Sequence, residues 1–432
     1  MADVFADIST GVSALPPIPP LARTSPCYMI NILHPGYEEG DNFLFCLPAV
    51  DYIVDPSSKI RTWGHHHATA LIACGIIANN AFDDVYFSID QYGQNPIKTP
   101  RDGILEPGEY WLQLNSITGR KHESPATSLP STQPSYMPPA SGYKYPIVPS
   151  FTDWPFPHGR LPKEWEQPHT PPTHQDRDLP TADQVANRCF VTDTNIGLEK
   201  CHLVPQAQLK WFMRNGMWRY ARRSSAQRIH DPANILLMLG HLRWAFDRPL
   251  FVILPKPSTV TSTGPSASAA PLALAAPSTS PTPSTSTASL TSENKAQTYA
   301  FVTHVISGDP EARDLAALYH NRAIQSKYFN TLERREFLFA RFAWALFPYL
   351  RDFVQNTSLR EFIIVDGDNH VSRSVTGEEF ATMRENRGES IDWPRKRRRS
   401  SSSRDEELTG EDDIYDDAFE ERWKRRNDNL YS

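Results

Sequence analysis

Hydrolysis of a phosphodiester needs a water molecule relieved of its proton and positive charge against the phosphate oxygens, and a neutral histidine beside a divalent cation supplies both. The residue types for that chemistry occur together in one block of this sequence. "KCHLVP" sets Cys201 next to His202, "HDPAN" follows with Asn234, and "GHLRWAFD" adds His241 and Arg243. His202 is the candidate general base, because an unperturbed imidazole titrates at about 6.5 and keeps a lone pair near neutral pH; the plainer alternative is a structural histidine. Cys201 is a metal ligand by position, or a small buried hydrophobe as isolated cysteines commonly are. Asn234 takes part in the chemistry, caps the helix expected after it, or does both. His241 is a second candidate metal ligand. Arg243 has no lone pair to give a cation, but its planar fork can hold a phosphate by two hydrogen bonds; otherwise it is a surface residue.

Such side chains act together only if strands and a helix bring them to one cleft. The sequence predicts a first strand and turn at "RCFVTDTN" and a second strand at "LEKCHLVP" that ends in Cys201 and His202. A loop carrying Asn234 comes next, then a helix holding His241 and Arg243, then a further strand at "LFVILPK". A helix packed on a hairpin could turn a ligand toward the hairpin's end.

The block resembles the HNH endonuclease family, in the form common among predicted fungal proteins. The resemblance rests on Cys189, "CHLVP", "DPAN", Phe246-Asp247 and "FVILPK", in order and spacing, and reaches more weakly to "ATALIACGIIANN", "LYHNR" and "FLFARFAWALF". It implies an α+β fold class, with a ββα-metal core embedded in a larger mixed domain. It also implies a metal-dependent endonuclease hydrolysing phosphodiester bonds, in DNA before RNA, with Mg2+, Mn2+, Ni2+ or Zn2+ as the cation. On the same resemblance His202 takes the base position, Asn234 that of the central asparagine, and Cys201 that of a metal-ligating neighbour. Where the family has its last histidine this chain has Arg243, and His241 stands at the preceding aspartate position. Two residues along a helix turn a side chain by about 200 degrees, so His241 does not replace the missing ligand without a shift of register. That departure keeps a second reading open, a catalytically inactive nucleic-acid-binding or protein-interaction module on the same fold. A third is a scaffold that recruits partners through its extensions.

Beside the block, "LKWFMRNGMWRYARRSSAQR" places Lys210, Arg214, Arg219, Arg222 and Arg223 among Trp211, Phe212, Trp218 and Tyr220 without an acidic residue. Cations next to flat rings suit a surface that tracks a nucleic-acid backbone, and equally a helix with a solvated basic face. No helix-turn-helix, C2H2 or RNP pattern points to base-specific reading. The formal net charge of −6 gives no global attraction to nucleic acid, so any attraction must be local.

The rest of the chain divides by composition. Residues 1–25 read as a disordered N-terminus, 26–187 as an N-terminal α+β part with a proline-rich connection, and 188–310 as the HNH-like domain, interrupted by a Ser/Thr/Pro/Ala insertion at 256–294. Residues 311–360 are expected as helices packing on the core, and 361–432 as a disordered charged tail. Tyr28, Ile30 and Ile32 alternate as a strand with one buried face, and "HHHATALIACGIIANNAF" reads as a helix whose start holds His65, His66 and His67, one or two of them in capping or packing roles, the alternatives being a metal site or a purification tag. "AFVTHVI" resumes the strand pattern of "LFVILPK", so the two should pair across the insertion, and Pro348 should kink or end the long aromatic helix near it.

Arg395–Arg399 is a candidate nuclear-import signal or phosphate contact, and the charged tail a candidate site for protein partners. Five cysteines without a CxxC pair fit a reducing compartment. With no signal-peptide pattern and no apolar stretch of spanning length, the expectation is a soluble intracellular protein without membrane association.

Overall fold

A computed structural model describes residues 28–55, 57–115, 144–166, 187–221, 228–257, 299–324, 334–367 and 369–388. The insertion beyond residue 257, the tail beyond 388 with Arg395–Arg399, and the first 27 residues lie outside the described residues.

The N-terminal part is built on β1 (Met29–Leu33), which pairs antiparallel with β2 (Phe43–Pro48) and parallel with β7 (Gly108–Leu114); β5 (Val85–Ser88) runs antiparallel to β7. Ile30 and Ile32 are buried as their alternation predicts, whereas Tyr28 precedes the strand and is 54% exposed. A second sheet has the order β3 (Asp51–Val54), β4 (Arg61–His66), β6 (Ile104–Leu105). The three histidines are split between two elements. His65 and His66 end β4, and only His67 opens α1 (His67–Ile77). Every residue of α1 is buried, as expected of a helix that is apolar on all sides.

Gly64 is where this sheet closes most tightly, because a Cβ at that position would run into the Leu105 carbonyl of β6. Gly64→Ala should lower the unfolding free energy by about 1–3 kcal/mol, the usual cost of overpacking a tight site. Urea titration reads this directly, and an unchanged midpoint would contradict the strand order.

After the short α2 (Lys163–Glu166), α3 (Leu209–Arg214) is anchored through Trp211, which stacks on Trp154 at 5.7 Å and donates its indole N–H to the Trp154 carbonyl at 2.7 Å. Two strands, β8 (Leu198–His202) and β9 (Ile235–Leu239), form an antiparallel hairpin that leads into α4 (Gly240–Asp247). Then β10 (Phe251–Pro257) pairs antiparallel with β11 (Tyr299–Val305), the partners expected from their patterns, with Lys256 opposite Ala300. Lys256, assigned to the insertion by its composition, is a buried residue of this ladder.

Next come α5 (Pro310–Tyr319), the buried α6 (Arg335–Leu346) and α7 (Arg351–Val354), with Pro348 in a 3-10 turn that ends α6. Residues 360–386 correct the sequence reading. They form the hairpin β12 (Arg360–Asp366) and β13 (Asn369–Val375), followed by α8 (Gly377–Asn386). Phe362 and Ile364 are fully buried, and Thr376 with Glu379 makes a capping box at the start of α8. Arg360, without solvent exposure, lies between the rings of Tyr37 and Phe353 at 4.3 and 4.2 Å. No helix of the described residues is long and apolar enough to cross a membrane.

Candidate active site

The strand-strand-helix unit exists, but from other segments than the patterns predict. Phe190–Thr192 is a turn, not the first strand, and "ILLML", read as the opening of the helix, is β9. A short apolar run fits either period; here burial alternates residue by residue, and helix begins only at Gly240. Asn234 therefore precedes a strand and caps no long helix. The cap of its own 3-10 turn is Asp231, whose carboxylate accepts from Ala233 N–H at 2.9 Å.

Successive residues of a strand point to opposite faces, and that separates Cys201 from His202. Cys201 faces the core: it is buried, its thiol donates to the Leu236 carbonyl at 3.6 Å, and burial pushes its pKa up to about 12. A thiol that resists ionisation is a poor metal ligand, since the thiolate is the coordinating form. His202, at the end of β8, is half-buried on the other face, with Nε2 at 3.0 Å from Nδ1 of the exposed His230. Burial first, then the neighbouring His230 and Arg243, lower its pKa below the ordinary histidine value. His202 is accordingly neutral at pH 7.

Asn234 ties the segment just past β8 to the loop that carries His230. Fully buried, it accepts from Val204 N–H at 2.8 Å and donates to the carbonyls of Val204 at 3.1 Å and Ile229 at 2.8 Å. Val204 is two residues past His202, and Ile229 directly precedes His230.

On α4, His241 is exposed and its Nε2 lies 3.1 Å from the Tyr319 hydroxyl at the end of α5. Arg243 reaches back to β8, with its Nη1 2.7 Å from Glu199 and its Nε 3.4 Å from Asp247. Gly240 leaves room for that Glu199 side chain, whose Oε1 would stand 2.6 Å from a Cβ there.

The basic segment divides likewise. Lys210 is exposed, Arg214 binds the Thr152 carbonyl, and Arg219 lies 5.8 Å over the Trp218 ring, while Trp211 and Phe212 are core residues. Arg222 and Arg223 lie outside the described residues.

Cys201, His202 and His241 are not brought into one ligand set. Among the described residues, the group of three such donors within 4.8 Å of one another is Asp51, His65 and His304, all buried, on β3, β4 and β11. Of the residues around His202, sequence reasoning missed His230 and Glu199. His230 was available in the "HDPAN" step, directly before the Asp231 cap; Glu199 carried no signal, because only the packing of α4 on β8 makes it a partner of Arg243.

Residues 184–254 match the HNH endonuclease family. The HNH match covers the Cys189 turn, the β8–β9 hairpin, α4 and the start of β10. Neither a curated protein nor a solved structure matches the chain.

Proposed function

We propose that the HNH segment hydrolyses phosphodiester bonds in nucleic acid, DNA before RNA, with His202 as the general base. The observation that carries this reading is a half-exposed, neutral His202 at the end of β8, 3.0 Å from His230. If His202 donates its Nε2–H to His230, its lone pair stays on Nδ1, the nitrogen assigned to take the proton of the attacking water. His230 then orients the ring, and Asn234 fixes the distance between the segment just past β8 and the His230 loop. A divalent cation, on which HNH domains generally depend, would neutralise charge at the phosphate. The ligands implied by resemblance fit it poorly, since the Cys201 thiol faces Leu236 and His241 faces Tyr319. The imidazole adjacent to the base is His230.

Plasmid cleavage in Mg2+, Mn2+, Ni2+ or Zn2+ tests this. His202→Ala should lose about 10²–10⁴-fold in rate, the range for removal of a general base. Because the His202 pKa is depressed, the wild-type rate should rise with pH to a plateau whose midpoint lies below 6.5, and His230→Ala should move that midpoint upward. Equal cleavage by His202→Ala would remove His202 as the base. The second reading, a binding module without catalysis, is favoured by Arg243, which stands at the last-histidine position and is paired with Glu199 and Asp247. It predicts a mobility shift of DNA with no cleavage in any cation.

A further inference from the structure

Four elements bury a polar cluster that the proposed reaction does not use. His65 comes from β4, Asp51 from β3, His304 from β11 and Lys256 from β10; His320 and Asn321, just beyond α5, close it. We propose that Asp51, His65 and His304 form a binding site for a borderline divalent cation of the zinc class, which joins the N-terminal sheet to the β10–β11 pair.

Three features of the geometry carry it. First, His65 Nε2 and His304 Nε2 face each other at 3.3 Å. Two nitrogens bound to one tetrahedral cation at about 2.0–2.1 Å stand about 3.3–3.4 Å apart. Second, the His65 ring is set as a ligand. Its Nδ1 is 2.9 Å from the Pro48 carbonyl, which only accepts, so Nδ1 carries the proton and the lone pair on Nε2 points at His304. Metal-bound imidazoles are typically held in this way by a carbonyl or carboxylate on the far nitrogen. The buried Nδ1 of His304 has no hydrogen-bond partner, so ligation through its Nε2 would leave the Nδ1–H unpaired, and for this ring the cation itself must select the tautomer.

Third, Asp51 is held rigidly with coordinating capacity to spare. Its Oδ1 receives Lys256 Nζ at 2.5 Å, His320 Nε2 at 2.9 Å and Asn321 Nδ2 at 2.9 Å, whereas Oδ2 receives the His66 N–H at 2.8 Å. A carboxylate offers about four lone-pair directions, two on each oxygen, and the uneven loading leaves one on Oδ2. The ammonium of Lys256 competes for the same carboxylate. It stands in as the cation when no metal is bound, and it sets the affinity.

The full-length chain, freed of metal by a chelator and titrated with Zn2+, tests the site by bound metal per chain, thermal unfolding and the visible spectrum of the Co2+ form. The wild type should bind one equivalent more than the His65→Ala and His304→Ala chains, with a rise in Tm on the order of 5 °C at saturation, and Co2+ should give a tetrahedral spectrum. His65→Ala and His304→Ala should lose that equivalent, while His202→Ala/His230→Ala should keep it, separating this site from the HNH segment whatever its activity. Lys256→Met, which removes the competing charge, should bind Zn2+ about tenfold more tightly. Absence of zinc binding by the wild type, retention of the equivalent by folded His304→Ala, or unchanged affinity in Lys256→Met would overturn the proposal.

Discussion

Acidification from pH 7 toward pH 5 is expected to unfold this protein. His34, His65 and His66 are buried, and burial lowers their pKa values to about 3, about 4 and about 3. One of these rings, His34, is fixed in the neutral form by a bond to its Nδ1, whereas His65 is kept neutral by burial. His34 Nδ1 accepts from Gly36 N–H at 3.0 Å while Nε2 faces the Tyr145 carbonyl at 3.0 Å, and His65 Nδ1 faces the Pro48 carbonyl. The unfolded chain takes up these protons near pH 6.5 and the folded chain does not. The stability they give is therefore complete above 6.5 and is lost as pH falls toward 4, with His34 and His66 still contributing loss down to about 3.

Each depressed group contributes a slope of about 1.4 kcal/mol per pH unit in its window, so three together remove roughly 6 kcal/mol by pH 5, comparable to the whole stability of a typical domain. Asp51 acts in the same direction but only in the lower window, below the ordinary carboxylate pKa of about 3.9. Burial alone would raise its pKa, but Lys256 and His320 hold it well below the carboxylate range, and protonation releases them. Tryptophan fluorescence and circular dichroism against pH should show a cooperative transition between pH 6 and pH 4.5. A protein still folded at pH 4 would mean that these rings are open to water.

Replacing Asn234 by Ala should damage both stability and cleavage. The substitution leaves Val204 N–H and the carbonyls of Val204 and Ile229 buried without their partner. Buried groups deprived of a hydrogen bond cost about 1–3 kcal/mol each, with partial relief by local movement, so a loss of about 2–4 kcal/mol is expected from denaturant titration. The same bonds set the loop of His230 against the end of β8, so plasmid cleavage measured well below the melting temperature should fall about 10²-fold or more, as displacement of a catalytic group by about 1 Å does. Asn234→Asp keeps the acceptor to Val204 N–H but loses both donations, and should fall between the two. Loss of stability with cleavage per folded molecule unchanged would confine Asn234 to the fold.

The HNH segment was legible because its residues are local in sequence. "CHLVP", "DPAN", "FD" and "FVILPK" lie within one stretch, and side chains near one another along a hairpin and its helix are near one another in space. Composition likewise separated the patterned segments from the Ser/Thr/Pro run, and matched apolar patterns found β10 and β11 as partners. Secondary-structure type inside the block was less determinate. "ILLML" is apolar throughout and fits strand or helix alone; its pairing with β8, from Leu198 opposite Leu239 to His202 opposite Ile235, makes it a strand. Charge concealed the β12–β13 hairpin in the same way, because β13 is exposed along most of its length and the core-facing side is carried mainly by β12, with Phe362 and Ile364 fully buried.

Tertiary structure decided what the polar side chains do. Sequence placed Cys201 beside His202, but the strand turns one into the core and the other outward. It left Arg243 free to meet a phosphate, and the packing of α4 on β8 gives it Glu199 and Asp247. Above all, the joining of Asp51, His65, Lys256, His304 and His320 crosses more than two hundred residues of chain, as the 205-residue separation of Lys256 from Asp51 and the 269-residue separation of His320 from Asp51 record. No periodicity or spacing carries contacts of that range. They arise when separate apolar faces collapse onto one core and take their polar neighbours with them, so the amino-acid order specifies the donors while the fold alone assembles the cluster.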